Sequence, residues 1–146
     1  MKAVVQRVRH ASVVVAGEEV ASVGAGLLVL LGVAMDDAEA HAHWMAEKVV
    51  DLRIFADAQG RFDRSLRDIA GEILVVSQFT LYGDVSKGRR PSFAAAMGGV
   101  QARALYEAFV RRLEQLGFAP RTGRFGADMQ VASVNDGPVT IIIEHP

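Results

Sequence analysis

A chain of 146 residues with 51% hydrophobic side chains, a mean hydropathy of +0.21 and a formal net charge of -1 is long enough to bury about two-thirds of its unfolded surface as a single domain. The apolar excess points to a dense core or a face closed by a partner, and the near-neutral charge excludes whole-molecule polyelectrolyte binding, so any RNA contact must come from a local patch. With no cysteine, disulfides, thiolate nucleophiles and Cys metal sites are excluded, and a reducing cytoplasm is the expected location.

Residues Lys2 to Arg9 alternate, with Val4 and Val8 on one face and Arg7 and Arg9 on the other, as in a half-buried strand. Ser12 to Ala16 predicts a second strand, Gly17-Glu18-Glu19 a turn and Val20 to Val23 a third, so the chain opens as antiparallel β structure. The apolar run Leu27 to Ala34, broken by Gly32, is far shorter than the roughly 20 residues that span a bilayer. Leu27 to Val33 therefore reads as a buried strand, and no membrane association is expected. Gln6, Arg7, Arg9 and His10 interrupt the first apolar stretch, so no export signal is read there.

Asp36-Asp37 supplies helix-start chemistry for a first helix over Ala38 to Leu52, with Trp44 and Val49 facing inward. Ala56 to Gly71, rich in Asp and Gly, predicts loop with short extended pieces, and Glu72 to Val76 the next strand. Helical spacing of Ala102, Leu105, Tyr106, Phe109, Leu113 and Leu116 predicts a second helix over Val100 to Leu116, stopped by Gly117. Met129 to Val134 and Val139 to Ile143 read as two strands flanking an Asn135 to Pro138 turn. The expected fold class is α/β: one domain, residues 1–146, with a curved, barrel-like, mostly antiparallel sheet and two main helices.

Two polar and glycine-containing clusters sit against these strands. Ser77-Gln78-Phe79-Thr80-Leu81-Tyr82-Gly83-Asp84 follows Ile73 to Val76. Its hydroxyl and amide groups either close a strand end or line a pocket that holds a polar ligand and steadies an oxyanion. No G-x-S-x-G elbow surrounds Ser77, which excludes a serine-hydrolase triad of that type. Asn135-Asp136-Gly137-Pro138 precedes Val139-Thr140 and either makes a turn or holds Gly137-Pro138 as a cis peptide that bends the backbone rigidly. Lys87, Arg89 and Arg90 form the dense basic loop, placed to grip the phosphates of a nucleic-acid end. His41 and His43 lie two apart, about 200° around a helix, and cannot share an ion, while His10 and His145 stand alone. No metal and no cofactor are expected.

These clusters, together with Met1-Lys2-Ala3-Val4-Val5-Gln6-Arg7-Val8, Lys87-Gly88-Arg89-Arg90-Pro91-Ser92-Phe93 and Phe125-Gly126-Ala127-Asp128-Met129, make the chain resemble the D-aminoacyl-tRNA deacylases end to end. That resemblance implies an enzyme that clears D-amino acids, and glycine mischarged on tRNA-Ala, from the 3′ end of tRNA. It implies a homodimer with active sites at the subunit interface. Ser77, Gln78, Phe79 and Thr80 would form the catalytic wall, and Gly137 and Pro138, with Met129 and Asn135, would reject L-side chains. Lys87, Arg89 and Arg90 would contact tRNA phosphates. The resemblance supports either Thr80 as nucleophile or backbone groups that hold the ester while the ribose 2′-OH assists water. The second is favoured, because no base is visible in sequence beside Thr80.

Overall fold

In a computed structural model, which describes residues 1–145, the opening segment is one continuous strand, β1 (Lys2–Val15), where the sequence pattern had suggested two. No glycine or proline interrupts it, and the successive exposed residues Arg9 and His10 mark a register irregularity that bends the strand without ending it. The following turn is Ala16-Gly17, both with positive φ, so Glu18 and Glu19 belong to β2 (Glu18–Val23) and not to the turn. The first half of β1 pairs antiparallel with β3 (Gly26–Gly32), and the second half with β2.

β3 is buried on both faces, as its unbroken apolar run requires. Leu27, Val29 and Leu31 face a core beneath the helices, whereas Leu28 faces a second core inside the curl of the sheet. β1 divides likewise, with Ala3 and Val5 toward the helices and Val8, Ala11 and Val13 toward the inner core. The first half is half-buried as expected, but Ala3 and Val5, on the same face as Arg7, are the buried residues, while Val4 on the opposite face is only partly buried.

β3 pairs in parallel with β6 (Glu72–Ser77), and β6 with the short β7 (Arg121–Thr122). Parallel neighbours need long crossovers, and these supply the helices α1 (Glu39–Val50) and α2 (Gly99–Gln115), which pack on one another. A two-stranded piece, β4 (Phe55–Ala56) with β5 (Phe62–Arg64), occupies the first crossover. The sheet is mixed, mostly antiparallel and nearly closed into a barrel, because β2 approaches β6 and β7. Met45, Val49, Phe109 and Leu113 are fully buried under it, each contributing about 1.5–3 kcal/mol of burial.

Helix α1 starts at Glu39, one residue from the expected Ala38, but its N-cap is Ala38 and neither aspartate of the Asp36-Asp37 pair caps it. The Asp37 carboxylate accepts the Ala34 N–H at 2.6 Å and lies 3.1 Å from His41 Nδ1, fixing the approach to the helix. Gly117, with φ +90, terminates α2 as predicted.

The larger correction concerns the last strand. β8 (Gln130–Glu144) is a single element, antiparallel to β1 along its whole length, so Asn135 to Pro138 does not reverse the chain. Gln6 faces Thr140 and Val8 faces Asn135, which leaves Asp136 to Val139 opposite Arg7 alone. The extra residues bulge out of the strand, a solution open to proline, which has no N–H for the ladder. Asn135 ties the bulge at its base: Oδ1 accepts the Val139 N–H and Nδ2 donates to Thr140 Oγ1, both at 3.0 Å.

Candidate active site

β6 ends at Ser77, and the chain then makes one 3-10 turn, Phe79–Tyr82. A cavity of about 440 Å³ opens here, walled by Ser77, Gln78 and Phe79 on one side and by Phe125, Gly126 and Met129 on another. Gly98 and Gly99, at the start of α2, complete the rim. The walls are mainly apolar, so polar groups aimed into the cavity act in reduced competition with water.

Backbone donors are available at this point. The first bond of the 3-10 turn runs from Leu81 N–H to the Gln78 carbonyl, so the N–H groups of Phe79 and Thr80 precede the helical ladder. Gln78 N–H is committed to Leu31 O at 2.8 Å. The N-cap of α2 is Gly98, which carries no capping side chain, so the positive end of that helix dipole meets the cavity rim uncapped. Phe79 is exposed and packs edge-on against Phe93, ring centroids 5.0 Å apart, giving an aromatic platform at the mouth. Across the cavity, Tyr106 donates its hydroxyl proton to Val75 O at 3.0 Å, and burial pushes its pKa well above the usual tyrosine range.

Thr80 is not among the cavity walls. Its hydroxyl is paired with the Gln78 side-chain amide, a group that cannot remove a proton. Lys87, Arg89 and Arg90 also lie outside the walls. Backbone bonds between Asp84 and Ser92, 2.8 and 2.9 Å, pinch off an exposed loop that carries them beyond Phe93. The Ser86 hydroxyl and then its N–H, bonding to the Asp84 carboxylate, hold that carboxyl below its usual range at the base of the loop. Among the described residues no three His, Asp or Glu side chains gather as a metal site.

The second cluster stands apart from the first. Gly137-Pro138 is cis and exposed, with Gly137 at φ +133, and neither these residues nor Asn135 borders the cavity of the same chain. Arg7, whose contact with this bulge the sequence pattern did not single out, helps fix the bulge. Its guanidinium donates from Nε to Asp136 O at 3.0 Å and from Nη1 to Ile54 O at 2.6 Å, and it lies over the Phe62 ring at 5.5 Å. Arg9 Nε adds a 3.0 Å bond to the Asp136 carboxylate. The available signal was a cation on the strand face that also presents Ala3 and Val5 to the core.

Residues 4–144 match the family model described as D-Tyr-tRNA(Tyr) deacylase. The chain belongs to this family. It is 57% identical over 146 residues to the D-aminoacyl-tRNA deacylase of Myxococcus xanthus, covering 100% of this chain and 95% of that protein. It is 58% identical over 144 residues to the same-named protein of a Roseiflexus species, covering 99% and 93%. Among solved structures, the c-Myc DNA Unwinding Element Binding Protein superposes with a TM-score of 0.94 at 45% identity, over 100% of this chain and 99% of that one. A probable eukaryotic D-amino acid tRNA deacylase superposes at 0.85 with 18% identity, 97% of each chain covered, which speaks to the shared fold alone. Within the family frame, Ser77, Gln78, Phe79 and Met129 share one cavity, whereas the Gly137-Pro138 bulge and the basic loop lie elsewhere on the surface. Among the described residues, no helix is long and apolar enough to cross a membrane.

Proposed function

We propose that this protein hydrolyses the ester linking a D-amino acid, or glycine mischarged on tRNA-Ala, to the 3′ end of tRNA in the cytoplasm, using no metal or cofactor. The observation that carries the reading is the cavity at the end of β6, with the uncommitted N–H of Phe79 on its wall and that of Thr80 next in the chain. Water attacks the ester carbonyl carbon, and the carbonyl oxygen becomes an oxyanion held by those donors and by the positive end of α2. Collapse breaks the bond to the ribose 3′ oxygen, which takes a proton as tRNA leaves. The terminal ribose 2′-OH assists the water. The Gln78 amide cannot activate Thr80 as a nucleophile, and this favours positioning by the protein over covalent catalysis.

The working unit in this proposal is a homodimer of one-domain chains, in which the Gly137-Pro138 bulge of one protomer enters the cavity of its partner. Two features support it: the bulge is exposed and does not border its own cavity, and β8 pairs through one edge only while exposing Val131, Val134 and Ile142. A rigid backbone wedge, flanked by Met129 on the cavity wall and anchored by Asn135, rejects an L-side chain by collision. Lys87, Arg89 and Arg90 contact phosphates of the bound tRNA.

Incubation with D-Tyr-tRNA and L-Tyr-tRNA tests the reading. Fast release from the D-ester alone is the expected result; equal rates sink the chiral filter, and tRNA binding without hydrolysis of either ester makes the protein a binding module.

A further inference from the structure

A groove of about 410 Å³ runs beside the cavity, between α2 and the segment that follows β7, and shares Tyr106 and Phe125 with it. Arg103, Glu107, Arg111 and Glu114 recur at three- and four-residue spacing, so they occupy one face of α2, and Arg124 stands across from them. Arg103 is committed to Glu107 at 3.0 Å. Among the described residues, Arg111 and Arg124 take part in no ion pair, although both are exposed. The neighbouring Arg112, by contrast, turns away to Glu47 at 3.0 Å.

We propose that this groove receives the sugar-phosphate backbone of the tRNA strand that leads into the cavity, with Arg111 and Arg124 as the phosphate ligands. The inference rests on the reading of aminoacyl-tRNA as substrate and specifies where its backbone runs. From Arg103 to Arg111 the helix face extends about 12 Å, the reach of a strand and not of one free anion. Guanidinium forks match phosphate oxygens two at a time; Arg111 is held on α2 and Arg124 faces it from the segment just after β7, whereas Lys87, Arg89 and Arg90 sit together on an exposed loop away from the cavity walls. The two glutamates do not cancel the site: Glu107 is occupied by Arg103, and Glu114 lies in the last turn of α2, away from the cavity end. A strand whose terminal ester lies in the cavity leaves past Phe125 directly into this groove.

The test is the double variant Arg111→Ala/Arg124→Ala, compared with the unmodified protein in three measurements. These are binding of uncharged tRNA at low and moderate salt, hydrolysis of D-Tyr-tRNA, and hydrolysis of D-tyrosyl-adenosine, which has no preceding phosphates. Loss of two phosphate contacts lowers the salt slope by nearly 2, so the variant binds tRNA about tenfold more weakly at about 50 mM salt, and the gap narrows by about 200 mM. KM for D-Tyr-tRNA rises with kcat unchanged, and the adenosine ester is cleaved at the normal rate. Unchanged affinity and salt slope overturn the groove, as does failure of the unmodified protein to bind tRNA. An equal loss on the adenosine ester also overturns it, because the arginines would then be supporting the cavity itself. If tRNA binding depends on both arginines but neither ester is hydrolysed, the groove stands and the deacylase reading falls.

Discussion

Replacing Arg7 with Met keeps the apolar stem over Phe62 and deletes the guanidinium that fixes the Asp136 to Pro138 bulge. Two charge-assisted bonds disappear, to Ile54 O and Asp136 O. The first matters more: Ile54 is only 5% exposed, so its carbonyl loses its cationic donor where water has little access, whereas the Asp136 carboxylate keeps Arg9. An orphaned buried acceptor costs about 1–3 kcal/mol and a bond to a charged donor contributes about 1.5–3 kcal/mol. Because these figures overlap at Ile54, the net loss is about 2–4 kcal/mol, or roughly 5–15 °C in Tm for a chain of this size. Urea unfolding at fixed protein concentration measures it, and the ratio of D-Tyr-tRNA to L-Tyr-tRNA hydrolysis reports the wedge. The ratio is expected to fall about tenfold, equivalent to 1.4 kcal/mol of lost discrimination. A stability change below about 0.5 kcal/mol, within the range of ordinary surface substitutions, refutes the anchoring role. A destabilised variant with full discrimination refutes the link from anchor to filter.

Thr80→Ala is expected to retain kcat within about tenfold of the unmodified enzyme, since its hydroxyl is held by the Gln78 amide; near-complete loss in single-turnover assays, with tRNA binding intact, would make Thr80 the nucleophile. Tyr106 has a raised pKa, so its contribution is fully present below about pH 10 and is lost as pH rises toward the folded value. Tyr106→Phe therefore flattens the alkaline limb of stability measured by urea unfolding from neutral to alkaline pH, at a cost of about 1 kcal/mol for the lost bond to Val75 O; an unchanged limb contradicts the assignment. Complementation tests the shared site. A Cβ at Gly137 would stand 2.7 Å from Val139 Cγ2, so Gly137→Ala deforms the wedge, whereas Gly98→Phe fills the cavity rim from a position with open space around its Cβ. Mixed protomers should recover about a quarter of the D-selective sites if each wedge serves the other subunit, and none if the wedge acts in its own chain.

The parts of this fold that could be read from sequence are those in which one local pattern has one structural solution. An unbroken apolar run, Leu27 to Val33, is satisfied by a strand covered on both faces, and the 3.6-residue recurrence through Ala102, Phe109 and Leu113 by a helix on a core. The misread elements are those in which one local chemistry serves two geometries. Asn135-Asp136-Gly137-Pro138 has the composition of a reversing turn, and the same Asx bonds and positive φ also suit a bulge. The choice is made about 130 residues away, where β1 offers a continuous partner on both sides of the cluster.

The same dependence on distant chain limits how far the site can be read from its motif. Ser77, Gln78 and Phe79 reach one cavity because β6 ends beside the start of α2, but the 3-10 turn then carries Thr80 off the cavity wall, and no spacing within the motif encodes that rotation. Arg7 was hidden for a related reason: its partners are the carbonyls of Ile54 and Asp136, which carry no side-chain signature. The proposed filter, built from backbone, would leave little trace in residue types, yet it would suit the task. Attraction to one small substituent separates isomers by only about 1–3 kcal/mol, whereas a fixed obstacle excludes the wrong configuration and places no demand on the identity of the right one. Selection without side-chain recognition asks for a rigid anchor and an exposed wedge, and these are the properties that Arg7 and the Gly137-Pro138 bulge have.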